Sequence, residues 1–498
     1  MEKNQIIQLR IEDMLDDGRA FGRYEGCAVF VSGSGRLPDG TKAAGAVPGD
    51  RIKARVTKAK KSSAEATLSE VTVPSPGRIA AECPYVGQCG GCAMQELSYE
   101  EQKKLKTEQV KSKLTRLGGL EDPKVNEITG ADTLKYYRNK AVFAVGPHGE
   151  VGFLKGKSHF VIDIDDCLLQ SDAAMVCADA LRTFLREAGV REITQLTVRT
   201  AFGTGEVMTV LESDSREIPQ IEKLIEMFDD AVYSLCCDEE GEPLQDDQIY
   251  SLESVALIHK GKCHIIAGKP TINEEVITED GRSLVFEISP QSFYQVNPEQ
   301  MERLYDKAAE YAALKGGETV LDLYCGAGTI GLWLLEDLRK KHPEAFEKTR
   351  VIGIESVKPA VLDANRNSVI NGVINTRYIC GKAEEELPGM MGLAKLYKWN
   401  EVNEKVEREP EIKLEHADVA VLDPPRAGCA EPLLSAVVQA APDRIVYVSC
   451  DPGTLARDIK YLTANGYEFI EATPVDQFPW TTHIETCCLL VNTSVSEV

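Results

Sequence analysis

The chain predicts a multidomain protein with a small β-barrel at its N-terminus, a cysteine-bearing α+β middle and a C-terminal α/β domain. Three observations predict this. At 498 residues the chain exceeds one ordinary core, given roughly 100 to 200 residues per domain. Residues 1–72 carry short β-branched runs, CAVFVSG and DRIKARVTKA among them, between Gly, Pro and Asp turns, the pattern of a small barrel. From residue 289 onward apolar strand patterns alternate with helical ones, which is how a doubly wound, mostly parallel Rossmann-like sheet reads.

After the barrel, VPSPGR at 73–78 marks a linker, because two prolines and a glycine interrupt helix and strand alike. The cysteine cluster CPYVGQCGGC and a basic helical pattern from Tyr99 to Leu117, stopped by Gly118 and Gly119, occupy residues 73–130. Residues 131–288 mix strands such as YYRNKAVFAV and ITQLTVRTAF with amphipathic helices and complete a central domain. Residues 289–498 then deliver four strands, ETVLDLYC, RVIGIES, ADVAVLD and RIVYVSC, each followed by a helical stretch. A charged segment at 393–415 interrupts the alternation and reads as a surface insertion.

Bulk composition excludes several classes. No apolar run approaches the ~18 residues of a membrane span, and MEKNQIIQLRIEDM has no signal-peptide core, so a cytoplasmic location away from membranes is expected. Fifteen cysteines, an odd and scattered number, suit thiol chemistry or metal binding better than a disulfide framework. No long amphipathic seam appears, which leads us to expect a monomer. The net charge of −23 opposes nucleic-acid binding overall, yet charges act over only about 8 Å at physiological salt, so local patches decide. Lys42–Lys61 holds seven Lys or Arg against one Asp, and Lys103–Arg116 six against one Glu. The acid concentrates at 206–247 and 401–415, where a solvated surface is the simplest reading.

In LDLYCGAGTIGLWLL an apolar strand runs through Gly326, Gly328 and Gly331 into a helix, so that backbone can approach a ligand where side chains would clash. Alone this GxGxxG pattern leaves a dinucleotide-binding dehydrogenase open. The surrounding residues narrow it. Asp322 lies on the first strand, and Glu355 ends the second, placed to accept hydrogen bonds from ribose hydroxyls. The third strand ends in LDPPRAG and the fourth in VYVSCDPGTLARD. Four carboxyl termini of parallel strands thus carry Tyr324, Glu355, Asp423 and Cys450 to one crevice edge. The dehydrogenase reading has no use for a DPPR loop followed by a strand ending in SC.

In this order, LDLYCGAGT, DPPRAG, SCDPGTLARD and FPWTTHIE resemble the RNA uracil-5-methyltransferase family. The resemblance spans essentially the whole chain and is greatest to the bacterial 23S ribosomal RNA branch, with its TRAM domain and iron–sulfur cluster. GRAFGR followed by VPGDRIKARV resembles the TRAM module, an OB-like RNA-binding barrel. The resemblance implies that Gln295 in SFYQVNP, Tyr324, Glu355 and Asp423 hold S-adenosylmethionine (AdoMet), that Cys450 is the nucleophile and that Glu485 is the base. At Lys382, in CGKAEE, it would place an acidic or amide residue beside the adenine, so this position stays outside the cofactor set.

The implied chemistry needs these residue types. Carbon 5 of uracil is a poor nucleophile until a thiolate adds at carbon 6, and covalent catalysis divides the hard step into easier ones. A cysteine of pKa near ~8.5 is only a few per cent thiolate at neutral pH, so the crevice must assist its ionisation. After methyl transfer a proton must leave carbon 5, which calls for a base. Two residues from Glu485, His483 would share its strand face and could orient it, whereas Cys487 and Cys488, beside LLV, read as core. Extruding the target uridine costs a few kcal/mol, least in loops, and Arg138 and Lys140 of YYRNK join the barrel as expected grips on the RNA.

Cys83, Cys89 and Cys92 form a C-x5-C-x2-C array whose glycines let the loop wrap an ion or cluster. A fourth ligand is needed. The resemblance points to Cys167 in DIDDCLL, while sequence alone leaves Cys177 an equal candidate. The family favours a 4Fe-4S cluster, and four cysteines would also suit structural zinc. Three other functions stay open: a transfer RNA uridine-5 methyltransferase, a non-catalytic RNA-binding factor that retains the fold, and an amine methyltransferase. The last needs an aromatic residue after the prolines, where Arg426 stands here.

Overall fold

The computed structural model describes residues 1–156, 158–238, 249–278, 281–399 and 405–494. Parts of the two acid-rich stretches, residues 239–248 and 400–404, lie outside these. At the N-terminus β1 (Ile6–Met14), β2 (Ala20–Tyr24), β3 (Cys27–Ser32), β4 (Arg51–Ala59) and β5 (Ser63–Val73) are ordered β3-β2-β1-β4-β5, and a parallel β3–β5 pairing closes the barrel. In β1 the buried Ile7, Leu9 and Ile11 alternate with exposed residues, the period-two pattern of a strand with one wet face. A register shift between Ile11 and Asp13 changes the phase, so that Met14 is buried against Val47, Met94 and Leu97 outside the barrel. There the barrel meets the cysteine loop. Arg78 binds Asp50 at 2.6 Å and Glu96 at 3.1 Å, all three side chains almost wholly buried, and Glu96 accepts the Ala44 and Gly45 amides.

Helix α1 (Tyr99–Arg116) forms where the basic pattern predicts it, but its cations are mostly engaged within the protein. Lys103, Lys104, Lys111 and Lys113 pair with Glu100, Glu101, Asp122 and Asp16, and Lys106 is fully buried on Asp476. The second basic patch is therefore largely structural. On the barrel, by contrast, Lys53 alone of the basic side chains in Lys42–Lys61 has an ion-pair partner among the described residues.

The central sheet combines β6 (Lys140–Val145), β7 (Val151–Leu154), β8 (Val161–Asp163), β9 (Ile193–Thr200), β10 (Glu206–Ser213), β11 (Ser251–His259) and β12 (Lys262–Gly268) in the order β8-β7-β6-β9-β10-β11-β12. Only the β10–β11 pair is parallel, and α3 (Ile221–Ser234) makes that crossover. Beside it packs α2 (Asp172–Ala188), capped by Ser171 at its start and by left-handed Gly189 at its end. A hairpin, β13 (Ile272–Ile277) and β14 (Ser283–Ile288), leads to the last domain.

After α4 (Pro298–Ala312) come β15 (Thr319–Leu323), α5 (Thr329–Lys341), β16 (Arg350–Glu355), α6 (Lys358–Ile370), β17 (Thr376–Cys380), α7 (Ala383–Met390), β18 (Val419–Leu422), α8 (Glu431–Ala440), β19 (Arg444–Ser449), α9 (Pro452–Thr463), β20 (Tyr467–Val475) and β21 (Glu485–Asn492). Their sheet order is β17-β16-β15-β18-β19-β21-β20. All strands are parallel except β21, which lies antiparallel between β19 and β20. The order reverses between β15 and β18, the switch point at which open α/β sheets bind ligands. The charged insertion contributes an antiparallel pair, Leu396–Trp399 with Lys405–Arg408. Among the described residues no helix is long and apolar enough to cross a membrane.

Candidate active site

The glycine turn after β15 is built for close approach. Tyr324 sits at φ 65° and Gly328 at φ 77°, conformations that glycine adopts without strain and tyrosine does not. A Cβ at Gly331 would come within 2.8 Å of Asp322 Oδ2, the same atom that accepts the Gly331 amide at 3.1 Å. Glu355 accepts the Gly326 amide at 3.2 Å and the Val357 amide at 2.7 Å, so its carboxylate faces the turn. Asn367 Nδ2 donates to Ala327 O at 3.0 Å from α6. Beside Gly326 there is open space, and Asp322 Oδ1 is buried without a partner. Such a cradle, rimmed by carboxylates and lined by backbone, fits a nucleoside carrying a positive charge.

The neighbouring strand ends carry the candidate reactive groups. Asp423 follows β18, its amide bonded to Leu323 O. Cys450 follows β19, and Asp451 beside it caps α9 by accepting the Gly453 and Thr454 amides at 2.8 and 2.9 Å. Because β21 runs against β19, with Ser449 opposite Thr486, Glu485 returns to the rim that carries Cys450. Burial pushes the Cys450 thiol up to about 12, with Glu485 and Asp423 adding to the effect and Arg426 opposing it. Glu485 is held well above the ordinary carboxyl range, by burial first and then by Asp423. Burial also raises Asp423 to about 7, helped by Asp322, which is itself raised to about 7 by burial and then by Glu355. The groups thus form one electrostatic chain from Glu355 to Cys450. Burial and the neighbouring carboxyls thus oppose ionisation of Cys450 and Glu485, and a cation such as Arg426 favours it at both.

Gln295 reaches the same end of the sheet by a different route. It is buried, and its Oε1 accepts from Gln477 Nε2 at 3.1 Å. Asn139 holds its loop through Nδ2 to Gln295 O at 3.0 Å and its amide to Val296 O. Gln477 begins the segment 477–484 that leads to Glu485, and every other part of the chain pins this segment. Met94 donates its amide to Trp480 O, Gln102 accepts the Trp480 amide, Trp480 Nε1 donates to Leu134 O, Tyr137 donates to Pro479 O and Thr482 to Asp16 O. His483 lies in this segment and not on β21, contrary to the expected shared strand face, because β21 begins only at Glu485. Its ring is pushed down to about 4 by burial and by Arg426, Arg138 and Lys106.

Cys83, Cys89, Cys92 and Cys167 line one cavity of about 330 Å³, which Arg138, Lys140 and Val296 also border. Cys177 does not take part; it lies on α2 with its side chain buried in the central core. Among the described residues no group of three or more His, Cys, Asp or Glu side chains converges as a metal ion requires. The four thiols instead surround a space. Burial raises Cys92 to about 12, and the other three thiols add to it. The Gly91 amide points at Cys89 Sγ at 3.4 Å.

Sequence reasoning overlooked several participants. Tyr305, on α4, is buried with its hydroxyl 2.9 Å from Thr329 Oγ1 and within electrostatic reach of Asp423, Asp322 and Glu485. Its helix pattern reads as plain core. Gln477 and Asn139 were hidden as well, since a lone amide in a loop or strand carries no spacing signal.

Residues 225–493 match the family described as tRNA (Uracil-5-)-methyltransferase. An uncharacterized RNA methyltransferase of Halalkalibacterium halodurans is 35% identical over 98% of this chain and 98% of its own. One from Caldanaerobacter subterraneus is 36% identical over 97% of each. The crystal structure of Pyrococcus abyssi tRNA (uracil-54, C5)-methyltransferase in complex with S-adenosyl-L-homocysteine shares the fold, with a TM-score of 0.67 and 23% identity over 97% of this chain and 100% of that one. The glycine cradle, the reversed last strand that brings a carboxyl to a strand-end cysteine, and these likenesses together establish that the chain is an RNA methyltransferase belonging to the tRNA (uracil-5-)-methyltransferase family.

Proposed function

We propose that the protein methylates carbon 5 of a uridine in RNA through a covalent bond between Cys450 and the base. The observation that carries this reading is the meeting of Cys450, Glu485 and Asp423 on one rim beside the glycine cradle. AdoMet, when bound, supplies an electrophilic methyl group on a sulfonium. Glu355, Tyr324, Gln295 and Asp423 are the residues that would hold it, Glu355 through its ribose hydroxyls. The Cys450 thiolate adds to carbon 6 of the uracil, which makes carbon 5 nucleophilic toward the methyl group. Glu485 then takes the carbon-5 proton, and the electrons released expel Cys450. A transcript containing 5-fluorouridine, which has no such proton to lose, tests the scheme. Incubated with AdoMet, the enzyme should become crosslinked to it at Cys450, while Cys450→Ala should form no adduct and transfer no methyl; a wild-type adduct mapped elsewhere would refute the scheme.

The same reading assigns residues 1–72 as a TRAM-type RNA-binding barrel, 73–288 as the cluster-bearing central domain and 289–498 as the methyltransferase domain. The closed barrel and its exposed cations support the first assignment. Cys83, Cys89, Cys92 and Cys167, which line one cavity, would hold a 4Fe-4S cluster, with structural zinc as the alternative. Arg138 and Lys140, which border the same cavity, are the side chains we assign as grips on the RNA. We assign the enzyme to the cytoplasm, as a monomer, with 23S ribosomal RNA as substrate. The family description and the Pyrococcus structure both name transfer RNA, which supports a second reading. Mapping 5-methyluridine in ribosomal and transfer RNA of a deletion strain decides between them.

A further inference from the structure

We infer that Arg138 and Arg426 form a two-armed clamp for the RNA phosphates on either side of the extruded uridine, with Phe478 and His483 as the floor between them. This inference rests on the function proposed above. The chain carries 79 acidic against 56 basic residues, so an arginine without a direct ion pair stands out; Arg426 acts on Glu485 only at longer range. Near the crevice several cations are engaged: Lys106 with Asp476, Lys113 with Asp16 and Arg457 with Asp458. Among the described residues Arg138 and Arg426 have no ion-pair partner, and Arg138 Nε is buried without any.

The two guanidiniums belong to one continuous row. Arg138 Cζ lies 5.6 Å from the centre of the Phe478 ring. The Phe478 and His483 rings meet edge to face at 6.0 Å. Arg426 Nη2 stands 3.2 and 3.3 Å from the two ring nitrogens of His483. Both arginines act on His483 electrostatically and help keep it uncharged, so the positive charge of the row resides in its two ends. Their backbones are fixed: the Arg138 amide donates to Leu169 O, and Thr454 Oγ1 donates to Arg426 O at 3.1 Å; the Arg426 side chain is exposed, and that of Arg138 is half-buried against Tyr137. One arm comes from the central domain and the other from the DPPR loop, whose Arg426 acts on the Cys450 thiol, so the row runs from the cysteine cavity to the proposed nucleophile.

A flipped nucleotide must be held by its backbone while its base leaves the stack. The guanidinium fork matches phosphate geometry through paired hydrogen bonds. An alternative role for Arg426 is to favour the Cys450 thiolate, since it is the cation that opposes the thiol's upward displacement. The two roles separate experimentally.

The test uses full-length enzyme and a stem-loop transcript carrying the mapped uridine, made with natural linkages and again with a single neutral methylphosphonate on either side of it. Arg138→Gln and Arg426→Gln should each weaken binding roughly tenfold and lower the slope of log Kd against log salt by about one. Each substitution should lose its effect on the transcript whose matching linkage is neutral, and Arg→Lys at either position should keep the salt slope and so report an intact fold. Equal weakening on charged and neutral linkages would overturn the clamp, as would slower 5-fluorouridine adduct formation by Arg426→Gln at an unchanged salt slope. Failure of the proposed function itself would look different, because wild-type enzyme would then form no Cys450 adduct with any of these transcripts.

Discussion

Replacing Lys106 by Met should loosen the catalytic segment without touching the chemistry. The Lys106 ammonium lies 2.6 Å from Asp476, both side chains are fully buried, and it also donates to Phe478 O at 3.2 Å. Removing one member of a buried pair leaves an uncompensated charge and costs about 3 to 5 kcal/mol, and each 1.4 kcal/mol is about tenfold in an equilibrium. Local opening of 477–484 should therefore become roughly 100-fold or more easier, because this segment begins at the stranded carboxylate. Native-state hydrogen exchange reads it directly. The Met94 amide, bonded to Trp480 O, and the Trp480 amide, bonded to Gln102, should lose protection, while core amides of β15 keep theirs. The double variant Lys106→Met with Asp476→Leu should recover most of the protection, since a packed apolar pair removes the stranded charge. The reasoning is refuted if Lys106→Met leaves the two amides as protected as in wild type, or if the double variant exchanges as fast as the single one.

Glu485→Gln should complete one methyl transfer and then stall as a protein–RNA adduct, seen as a shifted band on a denaturing gel; normal multiple turnover would assign proton removal elsewhere. Asp423 and Asp322, both raised to about 7, lose their protons as pH rises from 6 to 8. The cradle thus becomes more negative, and AdoMet should bind several-fold more tightly across that range, whereas neutral S-adenosylhomocysteine should change little; parallel pH profiles in calorimetry would contradict this. Cys92→Ser should purify anaerobically with little or no iron and without visible absorbance, while Cys177→Ser should keep both, and zinc in place of iron in the wild type would rule out the 4Fe-4S assignment.

Much of the catalytic domain was legible because parallel strands buried on both faces leave long apolar runs, and the polar residue ending each run then marks the crevice. Tyr324, Glu355, Asp423 and Cys450 all fall at such ends. The four cysteines of the central domain could be grouped only with the help of resemblance, since Cys167 lies far from the others in sequence and Cys177 looks no different on paper. What stayed hidden was partnership across long separations. The Lys103–Arg116 stretch reads as an RNA patch, yet most of its cations meet carboxylates, some as distant in sequence as Asp16 and Asp476. Likewise Gln477 matters only because Gln295 and Asn297 fold against it, and no local period announces that.

The pairing of β19 with β21 fixes Cys450 and Glu485 at adjacent ends of one hydrogen-bonded ladder. Their separation is thus set by covalent and backbone geometry within a single rigid sheet. The residues that would grip RNA, by contrast, come from different folding units. Any change in how those units meet would alter how a transcript is held, while the two groups proposed to make and break bonds at the pyrimidine keep their spacing. An enzyme so arranged can acquire a new target by remodelling its outer modules, with its reaction centre left as it is.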